Sequence, residues 1–216
     1  LHASTQTDNR TPEKVRFLEA AGFTQVVLAR ELSLNEIRRT SEATTVPLEV
    51  FVHGALCVSY SGQCYLSAAL SGRSANRGEC AQYCRLPYTM VDATGTEIVS
   101  NIHLLSLKDM NRSDQLEALL DAGVSSLKIE GRLKDAGYVK NITAYYRKKL
   151  DAVLSRRPEY RRASAGRSTY TFEPVAEKSF NRGFTTFLLE GRTADITAFN
   201  TPKSLGEPVG TVKEIK

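Results

Sequence analysis

All four cysteines of this chain, Cys57, Cys64, Cys80 and Cys84, fall in one short window otherwise rich in glycine, serine and arginine, with six, fifteen and three residues between successive thiols. Four thiolates brought together can hold an iron–sulfur cluster or a structural zinc ion. They can also pair as two disulfides or pack as small buried hydrophobes. The uneven spacing suits ligands that converge from a folded loop better than the tight knuckles of a zinc ribbon, so an iron–sulfur cluster is expected first, zinc second, and disulfides or free thiols third. Disulfides need an oxidising compartment. The first residues, Leu1 to Gln6, lack the basic start and apolar run of a signal peptide, so the expected location is the cytoplasm, where thiols stay reduced.

Charged residues near these thiols supply further candidates. Lys128, Glu130 and Arg132 alternate at a strand end, where the period of two puts Lys128 and Glu130 on one side, able to project together into a pocket as catalytic groups or to form a buried ion pair. Arg30 and Glu31 follow another strand and carry the same two readings, substrate contact or ion pair. Arg73, Arg77 and Arg85 surround the cysteines, where guanidinium groups could bind a carboxylate or phosphate bidentately, with Arg132 alongside, or could offset the charge of a thiolate-ligated cluster. His53 could pair with Cys57 as base and nucleophile, or orient the strand end and line the pocket. His2 and His103 have no spaced partner, and neither a His-Glu-x-x-His helix nor a Gly-x-Ser-x-Gly elbow occurs.

The elements that must position these groups alternate between helix and strand. Thr11 is placed to cap a helix with Pro12 at its first position, a face of Val15, Leu18 and Ala21, and Gly22 at its end. Gln25 to Ala29 is an apolar run of the kind buried in parallel sheets. Ser33 and Glu36 form a capping-box pattern before a helix through Ile37, and Leu48 to Val52 is the next strand. Ser113 is expected to cap a helix through Leu116, Leu119 and Leu120, closed by Gly123, before a strand from Val124 to Ile129. With a short strand at Leu1 to Ser4, this predicts an α/β fold, a partial (β/α) TIM-like barrel, with the chemistry on loops at the C-terminal strand ends. The expected division is residues 1–155 as the C-terminal part of such a barrel carrying the four-cysteine site, and residues 156–216 as a β-rich extension with the start of a further small β domain. Strands are expected there at Tyr170 to Phe172, Phe184 to Phe187 and Gly210 to Lys216, after an Arg-, Pro- and Ser-rich boundary from Arg156 to Arg167.

The 216 residues can bury a sizeable core, and 41% hydrophobic with 25% charged residues is a globular composition. No apolar stretch approaches the roughly 18 residues of a membrane span, so no membrane partner is expected. The net charge of +5 is unevenly placed, with twelve Lys or Arg against four Asp or Glu between Lys128 and Arg167. Arg147-Lys148-Lys149, Arg156-Arg157 and Arg161-Arg162 could meet RNA phosphates or form a solvated helix face and basic linker.

The stretch from Glu49 to Ser67, with Glu49, Phe51, Gly54, Cys57, Gly62, Cys64 and Ser67 in place, resembles the signature of the peptidase U-32 family, the collagenase-like proteases. The resemblance continues through Ser4–Gln6, Val27–Glu31, Asn76–Gly78, Cys80, Cys84-Arg85, Lys128–Arg132 and Asn181–Phe184, most of the chain. It implies a barrel-like α/β domain and a 4Fe-4S cluster ligated by Cys57, Cys64, Cys80 and Cys84. In the family's RNA branch it implies hydroxylation of a nucleobase in tRNA or large-subunit rRNA, with prephenate as a co-substrate. Other members work in pairs on a quinone ring, which implies a protein partner and, as an alternative, a non-catalytic cluster-bearing subunit. The family name carries a further alternative, a peptidase. Strands that precede Leu1 in the complete family domain are absent from this sequence, along with any substrate contact they make.

Overall fold

Four parallel strands form the spine of the molecule, and the first two connections between them are helices that the sequence caps explicitly. The computed structural model describes residues 1–200, 203–207 and 210–215. Strand β1 (His2–Ala3) leads to α1 (Pro12–Ala20), where the Thr11 side chain accepts from the Lys14 amide and Pro12 occupies the first turn. Val15 and Leu18 bury one face; Ala21, expected on that face, is instead the exposed residue after the last turn. Strand β2 (Gln25–Val27) is followed by α2 (Leu34–Ser41), whose Ser33 and Glu36 complete a reciprocal capping box. Strand β3 (Leu48–Gly54) is central and nearly continuously buried, as an apolar run covered on both faces should be.

After β3 come the short helix α3 (Leu66–Ser71), an exposed hairpin of β4 (Tyr88–Val91) and β5 (Glu97–Ile102), and strand β6 (Asp109–Asn111). Helix α4 (Leu116–Asp121), strand β7 (Val124–Ile129), helix α5 (Ala136–Leu154) and the two-residue β8 (Phe184–Thr185) complete the order. Ser113 does not cap α4. It sits inside a 3-10 turn that precedes the helix, and its hydroxyl meets the Tyr145 hydroxyl at 3.1 Å.

β1, β2, β3 and β7 pair in parallel, while β6 runs antiparallel against the end of β3 at His53 and Gly54 and carries β8 parallel beside it. The result is an open, mixed six-stranded sheet; the expected TIM-like barrel is not closed, because the pattern turns antiparallel at β6. Helices cover one face. There Val15, Leu18, Ile37, Leu116, Leu119 and Ile142 pack on Val26, Val50 and Val52, each such side chain contributing about 1.5–3 kcal/mol through removal from water. The opposite face buries a smaller cluster of Val27, Phe51, Leu56, Leu107, Met110 and Phe187. Among the described residues no helix is long and apolar enough to cross a membrane.

The described residues from 156 onward do not form the expected β-rich extension. Among the described residues they supply β8, which joins the main sheet, and one bridge from Thr197 to Leu107. Tyr170 to Phe172 is irregular because it lies along α5, with Lys140 over the Phe172 ring and Lys148 on Glu173, and a helix offers no free backbone edge for pairing. The strand expected at Gly210 to Lys216 is absent from 210–215, and Lys216 lies outside the described residues.

Candidate functional site

Parallel pairing places the C-terminal ends of β1, β2, β3 and β7 on one edge of the sheet, so the loops that follow them are neighbours. They enclose a cavity of ≈ 620 Å³ that takes Gln6 from the first loop, Arg30 from the second, all four cysteines from the third and Glu130 from the fourth. The three loops expected on one face are there, and the loop after β1 joins them.

Specific contacts hold the cysteine segment against its neighbours. Gly62 has φ +76°, and a side chain there would place its Cβ 2.4 Å from the Gln6 carbonyl oxygen, so the close approach of the two loops requires glycine. The Glu31 carboxylate accepts from the Ser61 amide and, at 2.9 Å, from the Ser61 hydroxyl. Gln63 donates to Asp8 at 2.6 Å, and the Arg10 guanidinium lies 4.5 Å from the Tyr60 ring centre. Farther along, the Cys64 amide donates to Asn76 at 3.2 Å and the Ala81 amide to the Ser67 hydroxyl at 3.0 Å. These bonds fold Cys80 and Cys84 back towards Cys57 and Cys64.

All four cysteines are free thiols. Burial pushes the Cys57 thiol up to about 11, with Cys64 and Cys84 close enough to add to the rise, and burial likewise raises Cys84. Burial disfavours the charged thiolate, and at Cys84 the neighbouring Arg85 guanidinium works against that rise. Among the described residues no group of three or more His, Cys, Asp or Glu side chains is drawn together as a metal-ion site. The donors nevertheless suit a thiolate-ligated group in kind and in place, since all four sulfurs line one cavity.

The charged candidates divide sharply. Arg30 lines the cavity, stacks 3.9 Å from the Phe51 ring centre and approaches Glu130 at 3.7 Å; burial lowers its pKa, against the pull of Glu130 and Cys57. Glu130 also lines the cavity, but Lys128 pairs with Glu49 at 3.2 Å, not with Glu130. Arg85 lies in the wall with its guanidinium donating to the carbonyls of Leu107 (2.6 Å) and Leu56 (2.8 Å) and to Ser106 (2.9 Å), so it braces the loop after β3 beside Cys84. Arg73 lines the cavity, Arg132 lines it and donates to the Gly78 carbonyl at 2.7 Å, and Arg77 is exposed away from the lining. Glu31 acts on the loop as described, outside the lining.

His53 does not face the cavity. The register of β3 against β7 is irregular between Phe51 and His53, and the imidazole lies on the helix side, 1% exposed, among Tyr138, Tyr146 and Phe184. Burial lowers its pKa to about 4, so it is neutral near pH 7.

Two buried arginines escaped the sequence reading. Arg112, 1% exposed, donates to the carbonyls of Arg30 (3.1 Å), Phe51 (3.3 Å) and Thr186 (3.2 Å), a brace directly beneath Arg30. Arg182 pairs with buried Asp109 at 3.1 Å and lines the cavity beside Phe180, over whose ring the Lys134 ammonium sits at 3.0 Å. The Asn181-Arg-Gly-Phe184 motif was the signal for Arg182; nothing local marks Arg112.

The basic segment is not a free phosphate surface. Arg147 pairs with Asp151, Lys148 with Glu173, Lys149 with Asp114, and Arg156 and Arg157 with Glu117, Arg157 reaching Asp121 as well. Arg147 also begins about 16 Å along α5 from its cavity-side end, at 1.5 Å of rise per residue. The solvated-face reading describes these residues.

Comparison with known proteins agrees with the motif pattern. The sequence model of Peptidase family U32 matches residues 1–198. The chain is 56% identical over 215 residues to the 23S rRNA 5-hydroxycytidine synthase of Escherichia coli (strain K12), covering 100% of this chain and 33% of that protein. It is 38% identical to "tRNA hydroxylation protein P1" of Bacillus subtilis (strain 168), over 70% of this chain and 37% of the relative. A protein named "Collagenase" from Porphyromonas gingivalis (strain ATCC BAA-308 / W83) is 36% identical over 85% of this chain and 46% of its own length. The chain thus spans about a third to a half of these curated relatives. No solved structure matches.

Proposed function

The chain belongs to peptidase family U32, and from that membership we propose that it carries the four-cysteine site of an RNA nucleobase hydroxylase, with a cytidine of large-subunit rRNA as its target. The observation that carries this reading is the meeting of four free thiols and several cations in one cavity at the C-terminal edge of the parallel strands. The names of the two RNA-directed relatives supply the substrate class and, for one of them, the base.

Cys57, Cys64, Cys80 and Cys84 would hold a 4Fe-4S cluster, which supplies one-electron redox chemistry when bound. Zinc is the alternative, since four thiolates can also hold one tetrahedral ion. The chain's own residues would do the rest. A nucleobase is small against ≈ 620 Å³, which leaves room for a second small molecule. Prephenate, a dicarboxylate, matches a wall built from Arg30 and Arg182, with guanidinium groups able to take a carboxylate through two parallel bonds. Glu130, placed by Arg30, would accept a hydrogen bond or a proton from the base edge. Arg112 and Arg85 would keep the floor rigid by holding backbone carbonyls, so that the bound molecules and not the loops adjust. A cytoplasmic location follows from an RNA substrate.

A peptidase reading rests on the collagenase-named relative. The site gives it little, since His53 is sequestered from the cavity and burial raises the pKa of the Cys57 thiol, its nearest nucleophile in sequence, against nucleophilic attack. A cluster-bearing subunit that serves a protein partner differs from the leading reading only in where the substrate binds. The deciding experiment is nucleoside mass spectrometry of total rRNA and tRNA from cells with and without the gene. Loss of one hydroxylated nucleoside, restored by the wild-type gene and not by a Cys64→Ser copy, supports hydroxylation; an unchanged nucleoside profile overturns it.

A further inference from the structure

The loop after β7 ends in a tight turn, with the Lys134 amide donating to the Gly131 carbonyl at 3.0 Å. Its third residue is Leu133, with φ +60°, the left-handed region where a turn ordinarily takes glycine or asparagine. Leu133 is also 88% exposed, and among the described residues only Leu1 and Ile215 are large apolar side chains with comparable exposure, both near the ends. Single exposed apolar residues are common on protein surfaces. This one differs in three respects: it lines the mouth of the cysteine cavity, its backbone conformation disfavours a branched side chain, and both neighbours are fixed.

The fixing is specific. The Arg132 amide donates to the Glu130 carboxylate at 2.9 Å and its guanidinium to the Gly78 carbonyl at 2.7 Å, while Lys134 is held over the Phe180 ring. The turn therefore presents one hydrocarbon side chain outward, between two cations, on a mount with little freedom to retract. Nothing hydrophilic at that position would need such a mount, and glycine would satisfy the backbone alone.

We propose that Leu133 is a wedge that enters the base stack of a structured RNA and fills the gap left when the target nucleotide turns out into the cavity. The proposal rests on the RNA-hydroxylase reading and adds how the base reaches the thiols. An enzyme acting on a base inside a helix has to extrude it, and apolar side chains such as leucine are suited to occupy an unstacked step, having no polar group to desolvate. Arg132 and Lys134 on either side match the flanking phosphates, which position the strand.

The test uses an RNA hairpin that carries a cytidine in its stem, in the sequence context of the nucleoside lost on gene deletion, with 2-aminopurine as the adjacent base. Wild-type protein is expected to raise the 2-aminopurine fluorescence on binding. Leu133→Gly, which suits the positive φ and so preserves the turn, is expected to bind the hairpin within about threefold of wild type but to produce roughly a tenfold smaller rise and a comparably slower modification. Leu133→Met is expected to restore both. A full fluorescence rise with Leu133→Gly overturns the wedge while leaving hydroxylation intact, as does modification by wild type without any rise. A large fall in the melting temperature of Leu133→Gly also overturns it, since the side chain would then be packed inside the protein. Failure of wild type both to bind and to modify the hairpin removes the RNA reading itself.

Discussion

The His53 ring and the Tyr146 hydroxyl meet at 3.3 Å (Nδ1 to Oη) on the helix side of the sheet, and the same hydroxyl lies 2.7 Å from the Val52 carbonyl. A tyrosine hydroxyl has one hydrogen. With that hydrogen given to the Val52 carbonyl or to Asn111 Oδ1 at 3.0 Å, Oη accepts from the Arg112 amide at 3.3 Å and from His53, which places the imidazole proton on Nδ1. The pair ties the end of β3 to the middle of α5, directly behind the strand that leads into Cys57.

Burial of the His53 ring predicts an acid-sensitive fold. The His53 pKa is depressed from 6.5 to about 4, so its stabilising contribution is complete above pH 6.5 and is lost as the pH falls towards 4, when the unfolded chain takes up the proton first. The loss approaches about 3 kcal/mol at 1.36 kcal/mol per unit. Denaturant unfolding at several pH values should show this extra decline in wild type and not in His53→Phe; parallel curves for the two proteins would contradict it.

Gly54 should resist substitution more than any core methyl. With φ +105°, an alanine Cβ there would lie 2.5 Å from the Glu130 carbonyl oxygen, a backbone atom that cannot swing aside. Gly54→Ala is expected to cost about 3 kcal/mol from backbone strain alone, and to displace Glu130 from Arg30. Thermal melting reads the first effect and activity the second. A melting temperature within a degree or so of wild type would show that the two loops are not held as described.

Protein isolated without air should be brown and carry about four irons per chain. Cys57→Ser and Cys80→Ser should each lose iron, lose RNA modification and loosen the loop to proteolysis, because ligand binding energy is partly folding energy. Stoichiometric zinc with no iron, or single variants that keep full iron content, would end the cluster assignment.

Salt dependence of RNA binding should follow the cavity mouth and not α5. Neutralising Arg147, Lys148, Lys149, Arg156 and Arg157, which are already paired, should leave the log–log salt slope nearly unchanged. Replacing Arg73 and Arg132 by Gln should flatten it by about 0.7 per lost phosphate contact on single-stranded RNA. The opposite ranking would return RNA contact to the basic helix.

The parts of this protein legible in its sequence are those made by residues close together along the chain. Thr11 and Pro12, the Ser33–Glu36 capping box, the apolar runs of β2, β3 and β7, and the clustering of four thiols after β3 are all local, and the structure contains each of them. The family signature from Glu49 to Ser67 is equally contiguous. What tertiary structure decided was which distant group each charge meets. Lys128 found Glu49 in place of Glu130, Arg157 found Glu117 and Asp121 on α4, and Arg112 was buried against carbonyls from three separate segments. His53 was turned from the cavity by an irregularity between Phe51 and itself that exists only once β7 lies alongside. Caps and periodicities are fixed by bonds and repeats spanning a few residues, whereas an ion pair depends on a distance through space that no local pattern encodes.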